Sequence, residues 1–191
     1  LENVEAEIEE TIGCSGINLN DPNVVTIGSY EDFATNSVYA TDSSKIFVLT
    51  SDIDFTDSPQ IDGSVYPVFN ASFEGNCFSI KNFTITNTNG DNTVGFFGKV
   101  EATDSPIYIK NVTFENFAFN IQNHSIYIGI FGIVQSSTTS PSEDVTFENV
   151  TVHLNKASLI TINSDYTYFY FGGLIGRCFN SKLLDCNVIL S

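Results

Sequence analysis

The stretch Val94-Gly95-Phe96-Phe97-Gly98-Lys99-Val100 decides how the rest of the chain is read. It returns as Ile128-Gly129-Ile130-Phe131-Gly132-Ile133-Val134, and again as Gly172-Gly173-Leu174-Ile175-Gly176-Arg177-Cys178. In each copy two glycines stand three positions apart (Gly95 and Gly98, Gly129 and Gly132, Gly173 and Gly176), with bulky apolar residues between them. A glycine inside a strand gives up side-chain packing, so it marks a bend, a bulge or a close backbone approach. Three copies point to one local shape built three times. Their separation, roughly 35 to 45 residues, falls in the range of repeats that cover each other's apolar faces.

Working outward from these copies, a second pattern repeats between them. Ile80-Lys81-Asn82-Phe83-Thr84-Ile85 returns as Ile109-Lys110-Asn111-Val112-Thr113-Phe114. Phe114-Glu115-Asn116-Phe117-Ala118-Phe119 returns as Phe147-Glu148-Asn149-Val150-Thr151-Val152, and more loosely as Leu184-Asp185-Cys186-Asn187-Val188-Ile189. Apolar residues alternate within each piece, as a strand with one buried face requires. The alternation slips at Glu115-Asn116, which is the signature of a corner between two flat strands. Each repeat therefore holds about three short strands: a glycine strand, an Ile-Lys-Asn strand and a Glu-Asn strand. The expected fold is all-β, a right-handed parallel β-helix or β-solenoid of about five to six coils, its hand following the general crossover preference.

Residues 1–44 are expected to form an N-terminal arm or cap, and residues 45–191 the solenoid. Leu1, Val4, Ile8 and Ile12 recur at helical spacing among acidic residues, so this end is a short amphipathic helix or an irregular extended arm. Ser29-Tyr30-Glu31-Asp32-Phe33-Ala34 reads as a helical turn with Ser29 at its N-cap. The closing Asn187-Val188-Ile189-Leu190-Ser191 reads as a bare strand. Since solenoids need polar caps, it implies a truncated chain or a surface that another subunit covers. The absence of Met and of a signal-peptide pattern implies a mature or excised chain whose leader has been removed.

Composition narrows the function classes. The chain has 191 residues, 23 acidic and 7 basic side chains and a net charge of −16. Such a surface repels nucleic acid and anionic lipid, and no apolar run is long enough for a membrane helix. Disorder is excluded by 17 Phe and 8 Tyr. The four cysteines, Cys14, Cys77, Cys178 and Cys186, match no zinc spacing and favour disulfides, for which three pairings exist. Cys178 with Cys186 is the closest in sequence, which leaves Cys14 to pin the N-terminal segment to Cys77. Plain buried thiols are the alternative.

The quoted residues resemble GLUG-type repeats. Leu49-Thr50-Ser51-Asp52-Ile53-Asp54-Phe55, Phe73-Glu74-Gly75-Asn76, Ile80 to Ile85 and Val94 to Gly98 carry the likeness, which covers roughly residues 45–190. Such repeats occur in secreted adhesin-like surface proteins of bacteria and protists. The resemblance implies a right-handed parallel β-helix on a cell surface, used for adhesion or as a stalk, and brings no catalytic residues. Phe96-Phe97 and Ile130-Phe131 depart from the pattern, where smaller aliphatics are common.

Five Asn-x-Ser/Thr sequons, at Asn70, Asn82, Asn111, Asn123 and Asn149, predict N-linked glycans in a eukaryotic secretory pathway. The competing reading stacks these asparagines as an amide ladder. Asp52, Asp54, Asp57 and Asp62 cluster in a loop-rich region but match no calcium loop, so no metal and no cofactor is expected. Glu115 and Glu148 would face outward on neighbouring coils, and His124 and His153 lack a partner nucleophile motif. No enzyme is expected. The expected function is an extracellular structural or adhesive glycoprotein, secreted or on the cell surface. Its partners would be neighbouring copies of itself, head to tail in a fibre, or another surface protein. The alternatives are a carbohydrate-binding module using Tyr166, Tyr168 and Tyr170 and, further back, a polysaccharide-degrading enzyme.

Overall fold

A computed structural model describes residues 13–123, 125–136, 145–155, 159–162 and 169–191. These residues are mostly β, and every strand pairing among them is parallel. The expected helical turn is there, as a short α-helix over Tyr30–Thr35 with Ser29 at its N-cap. The Asp32 carboxylate accepts the N–H groups of Gly28 and Ser29 at 2.8 and 2.9 Å, satisfying donors at the helix entry.

The strands fall into three parallel sheets. The first runs through Val24–Ile27, Ile46–Leu49, Ser72–Glu74, Ile107–Glu115, Val145–Leu154 and Ser181–Leu184, with Asn187–Leu190 also on Val145–Leu154. The second holds Ile61–Asp62, Thr84–Asn87, Ala118–Ile121 and Leu159–Ile162. The third holds the glycine stretches: Ser64–Phe69, Thr93–Ala102, Tyr127–Ile128 with Phe131–Ser136, and Tyr170–Phe171 with Ile175–Cys178. Beyond Ile46 the chain visits the sheets in the same rotation, first, second, third and back to the first. Val24–Ile27 is already paired with Ile46–Leu49, so the first sheet begins ahead of residue 45.

The inward faces meet in one core. Phe73, Ile109 and Phe147 stack in register, as do Ile80, Phe114 and Val152, and all six are buried. Phe97 sits at the centre. Its ring lies 5.1 Å from that of Phe131 and parallel to it, with Phe69 at 4.8 Å and Phe73 at 5.4 Å on other sides. Aromatic pairs at such distances add stabilisation beyond area burial. The helix closes one end of this core: Phe33 is buried against Phe55, Tyr66 and Phe96, and the Tyr66 hydroxyl donates to the Phe33 carbonyl at 2.8 Å.

Bends in the chain, within strands and between them, fall on asparagine. Asn82, Asn111, Asn116 and Asn149 have φ of 62°, 52°, 52° and 53°, and Asp185 has 50°. Asn and Asp enter this left-handed region more readily than other residues with a Cβ, because a short polar side chain bonds locally. The expected corner at Glu115-Asn116 is therefore real.

Two expected alignments differ. Phe147-Glu148-Asn149 does not overlie Phe114-Glu115-Asn116. It pairs with Ile109-Lys110-Asn111, so Lys110 meets Glu148 in a 2.8 Å ion pair, while Glu115 lies between Lys81 and His153. Glu115 and Glu148 are thus not register partners, and each lies beside a lysine instead. In the third glycine stretch, Gly172 takes the place expected for Gly173. The Gly172 N–H donates to the Ile128 carbonyl just as Gly129 donates to Val94. Gly173 is an extra residue, after which Ile175 returns to register with Phe131.

Candidate functional surfaces

The asparagines at these bends build a ladder across neighbouring strands of the first sheet. Asn149 Nδ2 donates to Asn111 Oδ1 at 3.0 Å, and Asn111 Nδ2 donates to Glu74 Oε1 at 2.9 Å. Glu74 is 3% exposed and also accepts the Asn76 N–H at 2.8 Å. A buried carboxylate is costly unless hydrogen-bonded, and here two donors satisfy it. At the next corner Asn82 Nδ2 donates to Asp54 at 2.9 Å, and Asn155 donates to Asn116.

The five sequon asparagines thus differ in surroundings. Asn123 and Asn149 are exposed. Asn82 and Asn111 are half-buried with their amide nitrogens engaged. Asn70 is half-buried, and its Oδ1 has no hydrogen-bond partner.

Cys14 and Cys77 form a disulfide, which ties the segment after residue 12 to the corner at Asn76. There Ser15 donates to Asn76 Oδ1 from both its N–H and its hydroxyl. Cys178 and Cys186 are free thiols, so the second expected pair is not formed. They lie on different sheets: Cys178 ends a glycine strand and bonds Ser181, while Cys186 follows the Asp185 corner and donates to the Leu184 carbonyl. Burial raises the Cys186 thiol above its ordinary pKa.

The clustered aspartates are drawn into local bonds. Asp52 accepts the Ser79 N–H and lies 3.8 Å from Lys81. Asp54 is held down to a pKa of about 2, first by the Thr56 hydroxyl and then by Asn82. Asp62 is lowered chiefly by the Thr88 hydroxyl. Among the described residues no group of three His, Cys, Asp or Glu side chains is placed to hold a metal ion. His124, Tyr166 and Tyr168 lie outside the described residues.

The third sheet carries a surface that the sequence reading had not assembled. Tyr127 and Tyr170 are register partners, and their rings stack at 5.6 Å with planes 18° apart. Arg177 lies beside them, its guanidinium carbon 5.0 Å from the Tyr127 ring centre and 4.3 Å from that of Phe179. One guanidinium nitrogen donates to the Tyr127 hydroxyl. Tyr127, Tyr170 and Arg177 line an open recess of about 220 Å³. The signal was present: Tyr127-Ile128-Gly129 and Tyr170-Phe171-Gly172 are the same tripeptide pattern, at the position Thr93 fills in the first copy. A larger cleft of about 490 Å³ lies between the helix and residues 58–65, with Glu31 and Asp62 on its walls and no basic side chain.

No helix among the described residues is long and apolar enough to cross a membrane. No protein-family model, curated protein or solved structure matches this chain.

Proposed function

We propose that this chain is a right-handed parallel β-helix that serves outside the cell as a structural or adhesive scaffold. The observation that carries this reading is the register. Glycine, aromatic and asparagine positions recur one above another through parallel pairings in all three sheets. That arrangement commits side chains to stacking neighbouring turns. The likeness to GLUG-type repeats rests on the quoted residues alone and points the same way, toward a secreted surface protein that meets copies of itself or another surface protein. Six strands side by side in the first sheet, at about 4.8 Å each, make a stack roughly 25 Å long.

N-linked glycans belong to this reading. A glycosylated Nδ2 keeps one hydrogen, so room for the sugar decides occupancy. Asn123 and Asn149, both exposed, are the favoured sites. Intact mass before and after enzymatic N-glycan removal from natively sourced protein tests this; an unchanged mass removes the glycoprotein half of the proposal. Antibody labelling of intact, unpermeabilised source cells tests location. Labelling only after permeabilisation overturns the extracellular assignment.

A carbohydrate-binding module is the second reading, favoured by the tyrosine–arginine surface on the third sheet. Tyr170 supplies an exposed ring, as that reading requires, and its ring partner is Tyr127.

A further inference from the structure

We infer that Tyr127, Tyr170 and Arg177 form a binding site for a single carboxylated sugar ring, such as a uronic acid at the end of a glycan. The inference rests on the adhesive reading above and names the class of ligand that adhesion would engage.

Arg177 is the starting point. It is the only arginine of the chain. Lys81, Lys99 and Lys110 each meet a carboxylate, whereas no carboxylate among the described residues pairs with Arg177. In a chain of net charge −16, a guanidinium that meets no carboxylate among the described residues is conspicuous. It is also pre-oriented. The rings of Tyr127 and Phe179 hold it by cation–π contact, and its bond to the Tyr127 hydroxyl fixes one end. A planar guanidinium fixed in this way matches a carboxylate by paired hydrogen bonds, a geometry lysine does not offer.

The tyrosines supply the other half. Tyr170 is 61% exposed. Its ring is backed by Tyr127 through the parallel register of two strands, so little side-chain freedom is lost when a ligand stacks on it. Tyrosine suits this place because the ring is apolar and the hydroxyl stays wet. The recess of about 220 Å³ is open and has room for one sugar ring. A long polyanion would meet the acidic surface as a whole, whereas one carboxylate at physiological salt is governed by groups within about 8 Å.

The test is titration of the folded chain, followed by calorimetry or NMR, with methyl β-glucuronide and with methyl β-glucoside. Saturable binding of the glucuronide is expected, about tenfold or more tighter than the glucoside, as one charge-assisted pair of hydrogen bonds implies. Arg177→Lys should erase that preference. Tyr170→Ala should remove binding of both sugars. Both side chains are exposed, and unchanged circular dichroism and Tm identify variants that fold. Equal affinity for the two sugars, no saturable binding, or a full preference retained by Arg177→Lys overturns the site. Antibody labelling of intact source cells separates the two proposals. Surface labelling with neither sugar bound leaves the adhesive scaffold standing without this site, and glucuronide binding with labelling only after permeabilisation does the reverse.

Discussion

Glycine and asparagine occupy the positions where this chain bends or approaches itself, and the two act differently. A Cβ on Gly95 would lie 2.5 Å from the Gly129 carbonyl oxygen, 2.7 Å from that of Phe97 and 2.8 Å from that of Ile130. All three are backbone atoms and cannot swing aside. Gly173 differs: its nearest neighbours are side-chain atoms of Val188 at 3.1 Å and Leu154 at 3.5 Å. Gly95→Ala should therefore cost about 1–3 kcal/mol, the range for overpacking a filled interior, while Gly173→Ala should cost far less. Urea unfolding of the two variants checks this, and equal midpoints would contradict the assigned stacking. The glycine pairs were legible because their spacing recurs. In the third pair Gly176 lies opposite Gly132 as expected, but its partner was misplaced by one residue, since Gly172 and Gly173 are adjacent and only the pairing with Gly129 distinguishes them.

Titration also belongs to single residues. Asp54 has its pKa lowered to about 2, first by the Thr56 hydroxyl, then by Asn82 and the Thr56 N–H. A lowered folded-state value means stability that is present above the unfolded value and lost as pH falls. For Asp54 the loss runs from about pH 4, near the ordinary aspartate value, down to about pH 2. Its carboxylate faces solvent, so the amplitude is small. Thermal melts from pH 7 to pH 2 should show the acid limb, and Asp54→Asn should flatten part of it. An unchanged limb in that variant would assign the acid sensitivity elsewhere.

At the level of elements, the disulfide and the helix secure the end where the first sheet starts. Cys14 and Cys77 are 63 residues apart, and closing a loop of that size in the unfolded chain is worth about 4 kcal/mol in the chain-entropy account. Cys14→Ser with Cys77→Ser should lower the Tm clearly, and so should a reducing agent on the parent chain. A Tm indifferent to reductant would show that the bond adds nothing. The helix over Tyr30–Thr35 was readable from Ser29 at its N-cap, because capping is local chemistry. The second alignment was not readable. Ile109-Lys110-Asn111 and Phe114-Glu115-Asn116 both present an apolar residue, a charge and a left-handed asparagine, so either could underlie Phe147-Glu148-Asn149. The choice is made by pairing, which sets Lys110 beside Glu148. Likewise Tyr127 and Arg177 are 50 residues apart, and only the sheet brings them together.

For the molecule as a whole, charge is the main lever. The net −16 sits on a surface whose ion pairs among the described residues, Lys81–Asp52, Lys99–Glu101 and Lys110–Glu148, are partly exposed and individually weak. Raising ionic strength from about 0.01 M to about 0.15 M shortens the screening length from about 30 to about 8 Å. Self-repulsion should then fall by more than the ion pairs lose, and the Tm should rise by a few degrees. A falling Tm over that range would show that the pairs outweigh the repulsion.

The asparagine ladder has a direction. Asn149 donates a hydrogen bond to Asn111, and Asn111 donates one to Glu74, whose Oε1 accepts. One end of the row is an amide and the other a carboxyl oxygen, so its two ends are chemically unlike. Past Asn149 the sheet continues into Ser181–Leu184 and Asn187–Leu190 of the same chain, and past Glu74 into Ile46–Leu49. The polarity of the amides is thus internal to the molecule, a fixed sense of direction running from one turn to the next.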